Sequence, residues 1–279
     1  MRSKKDKLLF VIAVVAAVGF GGAFVYNAYS HINYWLDART AREDTAVMQD
    51  IFAEQMEFVS MITIDRDRDG QAQSEAAEST EEAVVMPSFA SPFATAREVT
   101  GNDDIMAYIH IEGTNISNVV LQGTDNIFYL NRDMHRQANV NGSLFLDFEN
   151  SPDFTDRNSV IYGHNMRNGT MFHDLRYFMG SDYFDANRYI VVVTEREILT
   201  YEIFSAFSTR TDFEYIQIDF YDDEDYLQLL NEMRRRSVHE QNIPVYVNDR
   251  ILILSTCTNT AQDMRFVVAG VLRTRDVLS

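Results

Sequence analysis

Short apolar runs separated by turn signals fill the second part of the chain, and this pattern constrains the fold more than any other feature. The runs are rich in β-branched and aromatic residues, and pairs such as Asn141-Gly142 and Asn168-Gly169 punctuate them. Many short strands with such turns between them predict a closed or nearly closed β-barrel, so we expect a mostly β domain with flanking helices over residues 101–279. The predicted strands are residues 106–111, 119–121, 143–147, 159–162, 189–194, 199–209, 251–256 and 266–272.

The last two predicted strands form the clearest local unit. The apolar run 251–257 ends in Cys257, the only cysteine of the chain, and Arg265 opens the run 266–272. Two such runs joined by a short polar stretch predict an antiparallel hairpin, which sets the thiol beside the guanidinium. A neighbouring cation stabilises the thiolate, the nucleophilic form of cysteine. A buried structural cysteine is the alternative interpretation, because free cysteine also behaves as a small hydrophobic residue.

The N-terminal region predicts a membrane anchor. Residues 1–7 carry four basic side chains, and the following 19 residues, 8–26, are uncharged. That length matches the roughly 20 apolar residues of a transmembrane helix, and a basic flank stays on the cytoplasmic side. We expect everything after Tyr26 to lie outside the cell, beginning with an amphipathic helical segment over residues 27–64.

Residues 65–100 predict an acidic, largely disordered linker between this segment and the β domain. Residues 65–82 hold seven acidic and two basic side chains. The stretch from Asp65 to Gly70 resembles the start of a calcium-binding loop, but the twelfth position, which requires a bidentate glutamate, is Ala76. The stretch is therefore interpreted as a charged linker rather than as a calcium site.

Charge and cysteine usage exclude several function classes. The net charge is −18, and residues 1–26 contribute +3, so the exported part carries −21. An acidic surface of that size argues against nucleic acid or anionic lipid as a partner. One cysteine excludes an internal disulfide, and a lone exported thiol is a candidate reactive group.

One helix is predicted between the late strands, over residues 222–236. Its first four residues are acidic and residues 234–236 are arginines, which suits the helix dipole at both ends. The acidic run is therefore interpreted as a helix start rather than as a metal site. The sequence shows no cluster with metal-ligand spacing and no glycine-rich phosphate loop, so neither a metal nor a cofactor is expected.

The histidines supply the candidate general acid or base that a cysteine nucleophile needs. His164 follows the predicted strand 159–162 directly after Gly163, which predicts an unusual turn that aims the histidine into a cleft. His173 is the second candidate, within residues 171–174. The spacing favours His164, and His173 stays an open alternative.

Several motifs together resemble the sortases, the cysteine transpeptidases of Gram-positive surfaces. Residues 254–257 followed by Arg265 look like the sortase cysteine signature, and residues 160–166 with 169–172 are similar to the histidine segment of class B sortases in particular. The resemblance covers about residues 101–275, with the motifs in the same order. Further matching segments are 113–116, 120–123, 125–131 and the helix 222–236.

The resemblance implies an eight-stranded sortase barrel and a set of site residues. Cys257, His164 and Arg265 become a catalytic triad. A groove for an extended peptide is also implied, with an apolar wall and a few hydrogen-bonding groups. For Leu130 and Ile216, burial in the core is the alternative. The implied substrate-binding residues are Asn126, Leu130, Thr211, Tyr215, Ile216 and Ser255.

The implied activity is that of a membrane-anchored transpeptidase at the cell surface. Such an enzyme cleaves a C-terminal sorting signal, here expected to be an Asn-Pro-type pentapeptide, through a thioacyl intermediate. It then transfers the acyl group to an amine of a peptidoglycan precursor, either lipid II or its cross-bridge. The expected partners are thus the surface protein with the signal, the cell-wall amine and the membrane. Two alternatives stay open, a pilin-polymerising or purely hydrolytic peptidase and a catalytically silent surface-binding module.

Overall fold

The structure is a computed structural model that describes most of the chain. The described ranges are residues 4–69, 91–240, 243–257 and 264–278, and the side chains of 4–13, 61–69 and 257 lie outside the description. The chain divides into two compact units, residues 1–40 and 41–279.

Strands dominate the second unit, and helices flank them. The helices are α1 (Lys4–Asp69), α2 (Pro92–Thr100), α3 (Ser181–Ala186) and α4 (Asp223–Arg236), with 3-10 helices at Phe128–Leu130 and His173–Met179. The strands are β1 (Ile105–Ile111), β2 (Ser117–Leu121), β3 (Leu144–Leu146), β4 (Asn158–Tyr162), β5 (Tyr189–Val193), β6 (Glu197–Arg210), β7 (Ile251–Cys257) and β8 (Met264–Val277).

The eight strands close into a barrel in the order β1-β2-β3-β4-β7-β8-β6-β5. The antiparallel pairing of β1 with β5 closes the ring. β7 lies at the centre of the site region, because it pairs in parallel with β4 on one side and antiparallel with β8 on the other. The predicted barrel, its eight strands and the terminal hairpin are confirmed.

Several strands are apolar along their whole length because both of their faces are buried. In β7, Leu252 and Leu254 belong to a core cluster with members from all eight strands, whereas Ile251 and Ile253 pack in the cluster that α4 covers. Alternate residues of a strand face opposite sides, so a strand covered on both sides needs apolar residues at every position. This double burial explains why residues 251–254 do not alternate with polar side chains.

A further face of the barrel is covered by residues 48–59 of α1 and by α2. Phe52 is fully buried; its ring stacks on Tyr108 at 4.3 Å and meets the edge of Phe93 at 4.9 Å. Aromatic pairs of this kind contribute about 0.5–1.5 kcal/mol beyond their buried area. This part of α1 therefore shares a core with β1 and β2.

Both ends of the predicted linker 65–100 are helical, which differs from the disordered segment that the sequence predicts. Residues 65–69 continue α1, and α2 buries Phe93 and Ala96 against the barrel. The acidic composition of the earlier residues concealed this short apolar helix. Residues 70–90, which include Ala76 of the calcium-loop motif, lie outside the described residues.

The predicted helix 222–236 is confirmed as α4. Asp222 caps its N-terminus by accepting a hydrogen bond from the Asp225 N–H at 3.0 Å. Three acidic residues follow in the first turn and three arginines stand in the last, so both ends complement the helix dipole. The acidic run thus serves the helix start.

Helix α1 runs without a break through residues 8–26, the predicted anchor. Among the described residues, no helix is long and apolar enough to cross a membrane. The first six residues of the predicted anchor, 8–13, have side chains outside the description.

Candidate active site

Three neighbouring strands bring the predicted catalytic residues together. Tyr162 of β4 is paired with Ser255 of β7 in the parallel register. The Gly163 N–H still donates to the Ser255 carbonyl at 3.2 Å, so His164 follows β4 beside the end of β7, where Cys257 is paired with Arg265 of β8. Adjacent strands lie about 4.8 Å apart, so the backbones of Cys257 and Arg265 stand side by side, and His164 follows the neighbouring strand at the same end of the barrel.

His164 is partly buried, and a backbone carbonyl holds its ring. Its Nε2–H donates to the Leu130 carbonyl oxygen, with the two heavy atoms 2.6 Å apart. Among the described residues, none bonds to Nδ1. A hydrogen bond at one ring nitrogen sets the tautomer and leaves the other nitrogen to gain and lose the proton. The geometry therefore suits an acid–base group that acts through Nδ1.

A tight loop fixes the backbone of His164. The Phe172 N–H donates to the His164 carbonyl at 2.9 Å, and Asn165 forms a bridge with Met171. The predicted turn at residues 168–169 closes the loop, and Gly169 takes φ 86°, a left-handed conformation that glycine adopts at little cost. Both ends of the loop are thus tied to each other directly beside the ring.

His173 lies beneath this loop and supports it. It is nearly fully buried, and its Nδ1 lies 3.1 Å from the Asn165 side-chain oxygen. Burial lowers the pKa of His173, and the nearby Arg176 lowers it further, so the ring is neutral near pH 7. A buried neutral ring bonded to a loop side chain fits a structural role, and this favours His164 as the acid–base residue.

Glycine is required at position 163, before His164, for a steric reason that the sequence did not reveal. Its φ is not in the left-handed region, so the predicted unusual turn is wrong. Glycine is instead required by space, because an added Cβ would collide with the Leu144 side chain and would stand 2.8 Å from Cδ2 of Phe172. Both neighbours are fully buried in the core.

Gly163→Ala is therefore expected to destabilise the protein by about 1–3 kcal/mol, the usual cost of overpacking a core. For a chain of this size, Tm falls by about 3–10 °C. Peptide-cleaving activity should fall as well, since the backbone that carries His164 must shift. Thermal unfolding and steady-state kinetics measure both effects. Gly180→Ala is the control, because its Cβ would meet only the Tyr177 carbonyl at 3.5 Å; equal losses in the two variants would contradict the account.

Arg265 is the second residue of β8 and is paired with Cys257. Its side chain is partly buried, and Nη1 donates to the Met264 carbonyl at 3.2 Å. Thr209 of β6 is paired with it on the other side, so Thr211, exposed just past the end of β6, lies close to the start of β8. Cys257 closes β7, and its side chain lies outside the description.

The segment after β6 forms one wall beside these strands. The Tyr215 hydroxyl and the Ser255 hydroxyl are 2.8 Å apart, which joins the segment to β7 two residues before Cys257. Tyr215 is buried, but Ile216 is 43% exposed. Core burial, the alternative for Ile216, is therefore wrong, and its apolar side chain faces outward next to a hydroxyl pair.

The segment that carries Asn126 and Leu130 forms the other wall. Leu130 is 38% exposed, so core burial is wrong for this residue too. The Asn126 amide donates to an Asp147 carboxylate oxygen at 2.8 Å, and its oxygen accepts the Phe148 N–H at 3.1 Å. Asn126 is thus bound into the barrel edge through both ends of its amide.

Two supporting residues at strand boundaries escaped the sequence analysis. Asp147 also accepts the Tyr162 hydroxyl at 2.8 Å; burial, together with this carboxylate, raises the pKa of Tyr162, which keeps the hydroxyl protonated as a donor. Asn158 is fully buried and donates to the carbonyls of Tyr215 and Gln217, at 3.0 and 2.8 Å. The feature of the sequence that could have identified both residues is a polar side chain directly beside an apolar strand.

Metal binding has no support in the part of the chain that the structure describes. No group of three or more histidine, cysteine, aspartate or glutamate side chains there is arranged to hold a metal ion.

The barrel and its motifs match one known family. The sortase domain model matches residues 109–273. The chain belongs to the sortase family. Sortases are cysteine transpeptidases, so this sortase is an enzyme of that class, and its homologues place it at the Gram-positive cell surface.

The relatives of this sortase are class B enzymes. Sortase B of Listeria monocytogenes is 37% identical over 180 residues, 62% of this chain and 72% of that protein. The Staphylococcus aureus sortase B–substrate complex has a TM-score of 0.62 and 34% identity, and the match covers 66% of this chain and 85% of that chain. A sortase B complexed with triglycine gives the same TM-score and identity, covering 66% and 86% of the two chains. The predicted resemblance to class B is confirmed.

Proposed function

We propose that this sortase, anchored by residues 8–26, cleaves an Asn-Pro-type pentapeptide sorting signal and transfers the acyl fragment to a cell-wall amine. Cys257 is the nucleophile, His164 the general acid and base, and Arg265 the donor to the reacting carbonyl. The observation that supports the proposal is the neighbourhood of β4, β7 and β8: Cys257 is paired with Arg265, and His164 follows β4, whose last residue is paired with Ser255 of β7. Acyl transfer needs such a nucleophile, a titratable partner and a fixed positive donor.

In the acylation step, the Cys257 thiolate attacks the scissile carbonyl carbon. The new C–S bond forms as the C–N bond breaks, and the His164 imidazolium gives its proton to the leaving amine. The Arg265 guanidinium donates to the carbonyl oxygen while negative charge develops there, which is the usual service of an oxyanion site. A cation beside the sulfur also favours the thiolate before attack.

In the transfer step, an acceptor amine attacks the thioester carbon. Neutral His164 takes the proton from the attacking nitrogen, the C–S bond breaks, and the thiolate is restored. His164 both gives and takes a proton during the cycle, and Nδ1 is the nitrogen available for this because Nε2 is bound to the Leu130 carbonyl. The ring returns to its first protonation state after each turnover.

The sorting peptide is proposed to bind between the two walls beside β7. Leu130 and Ile216 supply exposed apolar contacts and Thr211 supplies an exposed hydroxyl, whereas Tyr215 and Ser255 are buried and support the second wall through their paired hydroxyls. Asn126 contributes mainly by fixing the shape of the first wall, since both ends of its amide are engaged. A structure of the related Staphylococcus aureus sortase B is a substrate complex, which supports binding of a substrate by this enzyme.

Asn158 holds the second wall in place, so Asn158→Asp is expected to raise KM for the sorting peptide. The change keeps the shape but removes the two N–H donors that hold the carbonyls on either side of Ile216. Losing these two buried hydrogen bonds costs about 2 kcal/mol, equivalent to about thirtyfold in KM. Labelling of Cys257 by iodoacetamide should keep its wild-type rate. Steady-state kinetics and mass spectrometry measure the two quantities.

Asn118→Asp is the matched control for this variant. Asn118 is also buried, but its amide donates to Thr45 of α1, away from the wall. The control should leave KM for the sorting peptide unchanged in the acylation half-reaction, which is measured without an acceptor amine. An equal rise of KM in both variants, or a parallel loss of Cys257 labelling, would show that Asn158 acts only through general stability.

The anchor is proposed from the exposure of apolar side chains on α1. Phe20 is 78% exposed and Phe24 is 75% exposed, and residues 8–26 carry no charge. Aromatic side chains left uncovered on a helix favour an apolar surrounding such as a bilayer. The basic residues before Leu8 would hold that end at the cytoplasmic face.

The test of the function uses the full-length chain in detergent with a panel of Asn-Pro-containing pentapeptides. Triglycine is supplied as the amine, since a related sortase B is known in complex with that peptide. Mass spectrometry should find the N-terminal peptide fragment joined to triglycine. If the fragment is instead released by water, at a rate that does not change when any amine is added, the result would favour a hydrolytic peptidase. Absence of cleavage for every peptide would overturn the proposal.

A further inference from the structure

A cavity of about 310 Å³ lies between α1, β2 and the loop that follows His164. Its walls are made by Arg42, Gln49, Asn115 and Asn118, and by Asn168 and Thr170 from the loop. All of these residues belong to the unit 41–279. Nothing in the proposed cleavage chemistry uses this space.

The cavity differs in charge from the rest of the molecule. The chain carries a net charge of −18, yet Arg42 is the one charged residue among the described lining residues. Arg42 is exposed and has no hydrogen bond or ion pair within the described part of the chain. The carboxylate behind the wall, Asp174, has one oxygen occupied by the N–H and the side-chain amide of Asn115, both at 2.8 Å. A lone guanidinium in such a setting attracts an anionic group.

Most of the polar wall is held rigidly by its own hydrogen bonds. Asn118 donates to Thr45 at 3.0 Å. On the loop side, Thr170 donates to Asn168 at 2.7 Å, and Asn168 donates to Asn141 at 2.7 Å. These bonds fix the cavity before any ligand enters, and preorganisation of this kind lowers the cost of binding.

Two side-chain oxygens that can accept hydrogen bonds line the same cavity as the Arg42 guanidinium. The side-chain oxygens of Gln49 and Asn115 have no partner within the described ranges, although each amide nitrogen is bonded. Arg42 offers donors that match a carboxylate in a bidentate fashion, and the two oxygens match peptide N–H groups. The complementary ligand is a peptide that carries a carboxylate.

The cavity is close enough to His164 to share a ligand with the reaction centre. Asn168 lies four positions after His164, so their Cα atoms lie at most about 14 Å apart. The loop then folds back to His164, because the Phe172 N–H donates to the His164 carbonyl at 2.9 Å. A peptide of five extended residues, up to about 17 Å long, covers that span.

We propose that this cavity binds the carboxylate-bearing peptide part of the amine acceptor while the amine extends toward His164 and Cys257. The inference rests on the proposed transpeptidation and adds a recognition site to it. Arg42 binds the carboxylate, and Gln49 and Asn115 accept hydrogen bonds from the acceptor backbone. The cavity thereby selects among amines without contacting the sorting peptide.

The test compares pentaglycine with pentaglycinamide as acceptors for the full-length enzyme. The two probes share one amine and differ only in the terminal carboxylate. A charge-assisted hydrogen bond at a partly exposed site supports about a tenfold preference, so KM for pentaglycine should be about tenfold below that for pentaglycinamide. Arg42→Gln should reduce this ratio to about one. The ratio is internally controlled, because a general loss of structure raises both KM values together.

Arg196→Gln is the matched control, since Arg196 is an exposed arginine outside the cavity and should keep the wild-type ratio. Equal KM values for the two acceptors in the wild type, or an unchanged ratio in Arg42→Gln, would overturn the acceptor site while ligation itself still supports the transpeptidase. Absence of ligation with either acceptor would instead overturn the proposed function. Calorimetry of pentaglycine binding to the Cys257→Ala variant is a second measurement, which does not depend on catalysis. This binding should be lost when Arg42→Gln is added to the same variant.

Discussion

Cys257→Ala is expected to abolish both cleavage of the sorting peptide and ligation to the amine, with a loss of at least about 10³-fold in kcat. Without the thiol no thioester forms, and no other cysteine in the chain can replace it. The single cysteine also makes labelling unambiguous. The wild type should take up one equivalent of iodoacetamide and lose activity in parallel, whereas the variant takes up none. Peptide cleavage is followed by chromatography and labelling by intact mass.

The same variant must keep its fold for this result to be informative. Thermal unfolding of Cys257→Ala should stay close to that of the wild type, since β7 keeps its pairing with β4 and β8. Residual ligation near the wild-type rate in a folded variant would contradict the nucleophile assignment. Full activity of the labelled wild type would contradict it independently.

His164→Gln is expected to reduce kcat/KM by about 10³-fold, within the usual range for removing a general acid–base group. Glutamine can keep the hydrogen bond to the Leu130 carbonyl, but it offers no group that titrates near neutral pH. The loss should appear in both half-reactions, because the same ring gives a proton during acylation and takes one during transfer. Single-turnover acylation and steady-state ligation measure the two steps separately.

His239→Gln is the matched control for His164. Its Nε2 also lies 2.6 Å from a backbone carbonyl oxygen, that of Phe178, but it stands away from β4 and β7. The control should retain the wild-type kcat/KM. If His239→Gln lost as much activity as His164→Gln, or if His164→Gln kept its acylation rate, His164 would not be the acid–base residue.

The barrel was predictable because its strands are local and strongly patterned. Residues 251–257 and 266–272 contain the whole hairpin signal, and the register that pairs Cys257 with Arg265 follows from the short connection between them. Helix α4 was equally predictable, since its capping acid and terminal arginines are adjacent in sequence. Local signals of this kind need no knowledge of distant contacts.

The supporting residues could not be predicted because their roles depend on contacts between distant segments. Gly163 is needed for space left by Leu144 and Phe172, which only the folded core brings together. Asn158 and Asp147 look like ordinary polar residues at strand ends, yet they hold the two walls of the proposed groove. The helix α2 was hidden by the acidic composition of the chain before it. Tertiary packing decided each of these features.

The most direct measurement of the central claim is the intact mass of the full-length enzyme after brief exposure to an Asn-Pro-type sorting peptide. The account predicts an adduct with the mass of the N-terminal peptide fragment, located at Cys257, that disappears when triglycine is added as the ligated peptide appears. His164→Gln should slow both the gain and the loss of this adduct. Cleavage that proceeds without any adduct, or an adduct that persists in Cys257→Ala, would contradict a thioacyl transfer centred on Cys257.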